Sequence, residues 1–209
     1  DQFGVSVQET EKGYRLSGPQ TYAGTDGAVE TDWSQAAFWY GANLLGSQVD
    51  ILNLNRSSAQ GDMRVVPYSQ QLSQPGDVAL DVSQCPDLVP PLAAMAAVRA
   101  GECRLTNAAR LRLKESDRLA TVTQTLRALG AAVEEGPDSL TFHGLPILEG
   151  GVTVDCCNDH RIAMMAAVAA CACRRPITLL GAECVKKSYP GFWEDYRQLG
   201  GDLDVLISG

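Results

Sequence analysis

One unit is written about three times along this chain, in diverged form, and that recurrence limits the fold more than any other feature. Each copy begins with a short extended run that ends in aspartate: AVETD to Asp32, DVALD to Asp81 and GVTVD to Asp155. A polar elbow follows, then a helix built from small residues: SQAAFWYGANLLG, PDLVPPLAAMAAVRAG and NDHRIAMMAAVAACA. Next comes a β-rich run, QVDILNL, ECRLTNA or PITLLGA, whose alternation suits a half-buried strand. A second polar connection leads to a second helix, clearest in the middle copy. There Leu119, Val122, Leu126 and Leu129 fall at helical spacing and Gly130 supplies a stop. Two strands, AAVEEG and SLTFHG, close that copy around the turn residues GPD.

The repeated order β-α-β-α-β-β predicts an α/β chain of the α+β type, with helices packed beneath sheets instead of a doubly wound fold. Residues 1–27 read differently: QFGVSVQET and YRLSGPQTY around EKG look like only the closing hairpin of such a unit. The expected division is a hairpin remnant of another domain at 1–27 and the main domain at 28–209. An orphan hairpin also implies earlier units upstream, in a functional molecule about twice this long.

With 209 residues, 45% of them hydrophobic, the chain can bury a substantial core. Its 17 basic and 25 acidic side chains leave a net charge of -8, which argues against nucleic acid or an anionic membrane as partner. An anionic ligand must therefore meet a local basic cluster. The longest apolar stretch, Ile162 to Cys173, is too short to span a bilayer and reads as a buried helix. DQFGVSVQET shows no secretory signal. Seven cysteines, clustered partly at Cys156, Cys157, Cys171 and Cys173, read as small hydrophobes and reduced cytoplasmic thiols, and with only His143 and His160 no metal site is expected.

Each elbow lies just ahead of a helix, where unpaired N–H groups and the helix dipole favour an anion. Ser34, Asp87 and Asn158 or Asp159 are the candidate caps there. Basic residues gather at equivalent places. In LKESDR, Lys114 and Arg118 would share a helical face if that helix starts early, with Glu115 beside them. Arg161 of NDHR sits in a first helical turn, where a cation opposes the dipole and gains little structurally. Lys187 of CVKKSYPGFW precedes another helix. Four cations at corresponding points of successive units, in an acidic protein, point to one shared polyanionic ligand.

KESDR, NDHRIAM and KKSYPGFW resemble the carboxy-terminal signatures of the 5-enolpyruvylshikimate-3-phosphate synthase family, in family order and along the whole chain; SAQGD at 58–62 and LRALGAAVE at 126–134 add to the likeness. The resemblance implies an enolpyruvyl transferase-like fold, an inside-out α/β barrel of such units, in two domains that close on substrate. It implies that this chain lacks the amino-terminal half, a partner needed to complete the site. It also implies a cytoplasmic enzyme, monomeric at full length, that needs no cofactor or metal and acts on phosphoenolpyruvate and shikimate 3-phosphate.

By motif, Asp87 resembles the carboxylate that holds the shikimate hydroxyls and helps deprotonate the attacking one. Lys114 is similar to the lysine between the two substrates, and Glu115 to the proton donor for the methylene carbon. Arg118, Arg161 and Lys187 resemble the groups that grip phosphoenolpyruvate. His160 either belongs to this set or hydrogen-bonds its own loop. Arg110 departs from the asparagine of some family members beside the shikimate phosphate. The competing expectations are a catalytically incompetent half that serves as a folding module, and the sister enzyme acting on a uridine-diphosphate amino sugar, whose corresponding half lacks NDHR and KSYP.

Overall fold

Residues 2–206 are described by a computed structural model, which separates into two compact units, Asp1–Thr31 and Asp32–Gly209. In the first, β1 (Val7–Thr10) and β2 (Gly13–Leu16) pair antiparallel, Val7 opposite Leu16 and Thr10 opposite Gly13. Glu11 and Lys12 make the turn, and Gly13 takes a φ of 134°, a value that side-chain-bearing residues avoid. The Gln20 side chain ties the flanks together, accepting from Ser6 N at 2.7 Å and donating to Ser17 O at 2.6 Å. The residues read as a hairpin form one.

The second unit contains the middle repeat in complete form. Strands β3 (Val78–Asp81) and β4 (Glu102–Thr106) are parallel and joined by α3 (Val89–Val98). Helix α4 (Arg118–Ala128) follows, then β5 (Ala132–Glu135) and β6 (Leu140–His143), giving a sheet in the order β3-β4-β6-β5. Leu119, Val122, Leu126 and Leu129 are fully buried, and Gly130, at a φ of 101°, stops the helix where Ala131 N returns to Leu126 O. Ahead of this repeat lie α1 (Trp33–Leu44) and α2 (Val65–Leu72). After it, β7 (Leu148–Gly150) pairs parallel with β9 (Cys173–Arg175), and β8 (Thr153–Asp155) with β10 (Thr178–Leu180), on either side of α5 (His160–Ala170). The last helix is α6 (Phe192–Gln198).

Two runs read as strands, 28–32 and 48–54, do not become strands. Alternating residues form a strand only where a neighbouring backbone completes the ladder, and among the described residues no ladder includes either run.

The three aspartates that close the opening runs do the same work in every copy. Asp32 accepts from Ser34 N at 2.7 Å, Asp81 from Ser83 N at 2.8 Å and Asp155 from Cys157 N at 2.7 Å. Each carboxylate thus folds the chain back two residues on, the local turn that aspartate makes readily. The helices that follow pack on one another because their facing residues are small. A Cβ added to Gly41 of α1 would lie 3.2 Å from Val168 of α5 and 3.5 Å from Met95 of α3. Those three helices and the inner sheet faces share one apolar core, which includes Phe38, Leu92, Met95, Leu105, Phe142 and Met164. Among the described residues no helix is long and apolar enough to cross a membrane.

At the far end of α3, the buried Arg99 side chain donates to the carbonyls of Gln74 and Glu102, both at 2.8 Å, and Gly144 lies flat against the Arg99 backbone. A Cβ on Gly144 would overlap the Arg99 carbonyl oxygen. Gly144→Ala is expected to lower stability by about 2 kcal/mol or more, since backbone has to move to admit the methyl group, as urea unfolding would show.

Candidate active site

The starts of α1, α3 and α5 meet, and the residues that bring them together come from the polar elbows. Asp32, and not Ser34, caps α1, because its carboxylate reaches two free N–H groups, those of Ser34 and Gln35. Ser34 is left to serve otherwise: its hydroxyl donates to Asp32 at 2.7 Å and accepts from the Arg161 guanidinium of α5 at 3.0 Å. Ahead of α5, Cys157 and Asn158 both take left-handed backbone, with φ of 52° and 53°, and Asp159 becomes the cap, accepting from Arg161 N at 3.0 Å. Asn158 offers its backbone carbonyl, which Lys187 Nζ meets at 2.6 Å.

Asp87 lies in the 3-10 turn Pro86–Leu88 that feeds α3, and its side chain caps nothing. Its Oδ1 accepts from Arg118 at 2.8 Å and Lys114 at 3.0 Å, while Oδ2 is 3.5 Å from Arg161. Burial pushes this carboxyl's pKa up, but Arg161, Lys114 and Arg118 together outweigh burial and hold it below the ordinary range.

Lys114 and Arg118 do not share a helical face. A 3-10 segment, Ala109–Leu113, precedes Lys114, whose own backbone is extended, and α4 begins only at Arg118 because Asp117 caps it through Ala120 N. The two cations converge on Asp87 from different directions instead.

Arg118 is fully buried. Its Nε donates to Asp159 Oδ2 at 2.8 Å, its NH1 to Asp87, and its NH2 to Glu115 Oε2 and to Asp159 Oδ1 at 3.2 Å. Asp159 is itself buried and also accepts from Ser116 Oγ at 2.9 Å. Burial raises the Asp159 pKa, and the Arg118 bonds more than reverse that, leaving it depressed. His160, 6% exposed, has its pKa lowered by burial first and by Arg161 next, and its Nδ1 has no hydrogen-bond partner among the described residues. Glu115 remains partly exposed on the outer side of Arg118.

Asp87, Lys114, Glu115, Arg118 and Arg161 therefore form one neighbourhood, with Lys187 joined to it through the Asn158–Asp159 peptide and His160 within electrostatic range of Arg161, Arg118 and Glu115. Asp159 had been visible only as a cap and Ser34 only as a cap, whereas their side chains bind the two arginines. The available signal was the buried position that periodicity gives Arg118, since a buried guanidinium requires a carboxylate. Among the described residues no group of three or more His, Cys, Asp or Glu is placed to hold a metal ion. What the arrangement offers is exchange: an incoming anion can replace a carboxylate on cations already fixed in position.

An EPSP synthase from Acinetobacter baumannii superimposes on 96% of this chain and 53% of its own, at a TM-score of 0.81 and 25% identity. The enolpyruvyl transferase NikO from Streptomyces tendae shares the fold at a TM-score of 0.65 and 16% identity, over 96% of this chain and 51% of its own. The fold is thus that of an enolpyruvyl transferase-type domain. The model of the EPSP synthase (3-phosphoshikimate 1-carboxyvinyltransferase) family matches residues 1–196, and the chain belongs to that family. The 3-phosphoshikimate 1-carboxyvinyltransferases of Clostridium kluyveri and Clostridium acetobutylicum are 45% and 43% identical to it, over 99% and 96% of its length. The chain spans about half the length of these curated relatives, 52% and 50%.

The Asp159 carboxyl has a depressed pKa in the fold, so its stabilising contribution is complete above the ordinary carboxylate value near 4 and disappears as pH falls through the lower folded value. Asp159→Asn is expected to cost about 3 kcal/mol at neutral pH, because it strands Arg118 without its main counter-charge. In urea melts at a series of pH values, the gap from wild type should narrow below about pH 4.

Proposed function

We propose that this chain supplies one wall of a site that moves the enolpyruvyl group of phosphoenolpyruvate to the 5-hydroxyl of shikimate 3-phosphate and releases phosphate. The observation that carries this reading is the convergence of Lys114, Arg118 and Arg161, each from a separate element, on the single carboxylate of Asp87. Family membership supports the choice of reaction.

The residues divide the chemistry in a way their positions suit. Phosphoenolpyruvate carries a carboxylate and a phosphate, and guanidinium forks grip both kinds of group bidentately. Arg161 holds it from the start of α5, Arg118 from the start of α4, and Lys187 from the 3-10 segment Ala182–Lys187 beside Asn158. Glu115 pairs with Arg118 through Oε2; a ligand anion that takes that N–H releases Glu115, which picks up a proton from solvent and delivers it to the methylene carbon. Protonation makes C2 electrophilic, and Asp87 accepts the proton of the attacking hydroxyl as the new C–O bond forms. The resulting tetrahedral ketal returns a proton from its new methyl group to the Glu115 carboxylate as the C–O bond to phosphate breaks, which leaves the enol ether and free phosphate. Lys114, 3.0 Å from Asp87, steadies charge between the two substrates. His160 is buried at the head of α5, next to Arg161 in the chain, and its unpartnered Nδ1 is consistent with membership of this set. Arg110 adds a cation on the segment that leads to Lys114.

In this reading the opposite wall comes from the other half of the full-length enzyme, which works as a cytoplasmic monomer. A site open on one side neither encloses nor orients its substrates, and lost positioning costs orders of magnitude in rate. The same geometry favours a second reading, in which the chain by itself is an incompetent half that complements the other.

Phosphate release from phosphoenolpyruvate plus shikimate 3-phosphate is expected to be negligible with this chain alone and to appear on addition of the amino-terminal half of a relative; strong turnover without that addition would contradict the half-site. In the assembled enzyme, Arg161→Ala or Lys187→Ala should raise KM for phosphoenolpyruvate about 100-fold and barely change that for shikimate 3-phosphate, whereas equal losses would show that the pocket is misassigned. Glu115→Gln should lower kcat by about 100-fold or more with little change in substrate binding, and steady-state kinetics that find kcat intact would remove Glu115 from proton donation.

A further inference from the structure

The cations that face the site are already matched by carboxylates, so a polyanion brings negative charge that the resting arrangement does not balance. One carboxylate in the same neighbourhood is placed differently from the rest. Asp62 is the second residue of the 3-10 turn Gly61–Arg64 and, among the described residues, forms no ion pair.

That turn is pinned at two points. The Gln60 side chain accepts from Trp33 N, at the first turn of α1, at 2.9 Å. Gly61 presses on the loop that leads to Asp87 so closely that a Cβ there would overlap the Gln84 carbonyl oxygen. Only glycine permits that approach. The turn therefore holds Asp62, half-buried, within electrostatic reach of the groups that edge the site. These are Asp87 before α3, Arg161 of α5, Asp32 at the cap of α1 and Lys114 after the 3-10 segment, while Arg64 and the neutral Cys85 thiol lie close to the turn itself.

Burial, then repulsion by Asp87, raise the Asp62 pKa to about 6, against the pull of Arg161. Asp87 and Asp159 are shifted the opposite way and His160 is shifted down, so in the resting site near neutrality the two carboxylates stay ionised and the imidazole neutral. A dianion on Lys114 and Arg161 adds to the field that already disfavours a charged Asp62.

We propose that Asp62 is the proton-accepting partner of the anion site: a dianion settles on Lys114 and Arg161 as the Asp62 carboxylate takes one proton from solvent, which cancels one of the two charges added. The proposal rests on the preceding reading of those cations and adds a positioning residue that couples ligand binding to pH. Its sign follows from linkage. Above about pH 6 the free chain carries an ionised Asp62, so binding requires proton uptake and affinity falls as pH rises, by up to tenfold per unit.

Sulfate tests this directly, because it remains a dianion across the neutral range. Calorimetry at about pH 7, in two buffers of different ionisation enthalpy, counts the protons taken up per sulfate bound. Wild type is expected to take up close to one. Asp62→Asn should take up close to none and bind sulfate about tenfold tighter than wild type near pH 7, while Asp62→Glu should retain uptake. Circular dichroism confirms that each variant is folded. Sulfate binding without proton uptake in wild type, or uptake that persists in Asp62→Asn, would overturn the role of Asp62 and leave the anion site intact. No sulfate binding by any of the three proteins would overturn the anion site, and the proposal with it.

Discussion

The Arg118–Asp159 pair is the constraint from which the rest of the candidate site follows. Both side chains are buried, and neither charge could remain there alone at less than several kcal/mol. With Asp159 occupying Nε and one side of the guanidinium, the remaining N–H groups are aimed outward, where Asp87 and Glu115 accept them. One arginine thus fixes the positions of three carboxylates that come from different elements. Asp159 is at the same time the cap of α5, so the backbone that presents Arg161 is set by the same contact.

A buried pair of this kind adds little net stability compared with apolar packing, and its value lies in specifying geometry. That agrees with the composition of the helices around it. Helices α1, α3 and α5 are rich in alanine, glycine and other small residues, which allows close approach and gives the site a rigid floor. Mobile loops would hold the same charges less well, since every misplacement at the reacting atoms is expensive in rate.

Much of this was legible in the sequence because the repeat repeats its chemistry as well as its pattern. The middle unit could be read strand by strand, since Leu119, Val122, Leu126 and Leu129 have a clear period and Gly130 a clear terminal role. The residues of the neighbourhood could be named because KESDR, NDHR and KKSYP are compact strings. What could not be read was tertiary in origin. The runs 28–32 and 48–54 have strand-like composition, but a ladder depends on a partner that local pattern does not reveal. The late start of α4 follows from Asp117 capping it through Ala120 N, which leaves Lys114 off the helix. Ser34 looked like a cap because hydroxyls favour that position, yet Asp32 two residues earlier has the stronger acceptor.

The aspartate turn that ends each opening run separates shape from chemistry. Since Asp32, Asp81 and Asp155 each bend the backbone by the same bond, the residues just beyond were free to diverge without loss of the bend. One copy now presents a hydroxyl, the next a carboxylate, the last an arginine. One shared bend thus carries three unlike groups, so an asymmetric cluster is built on a repeated scaffold.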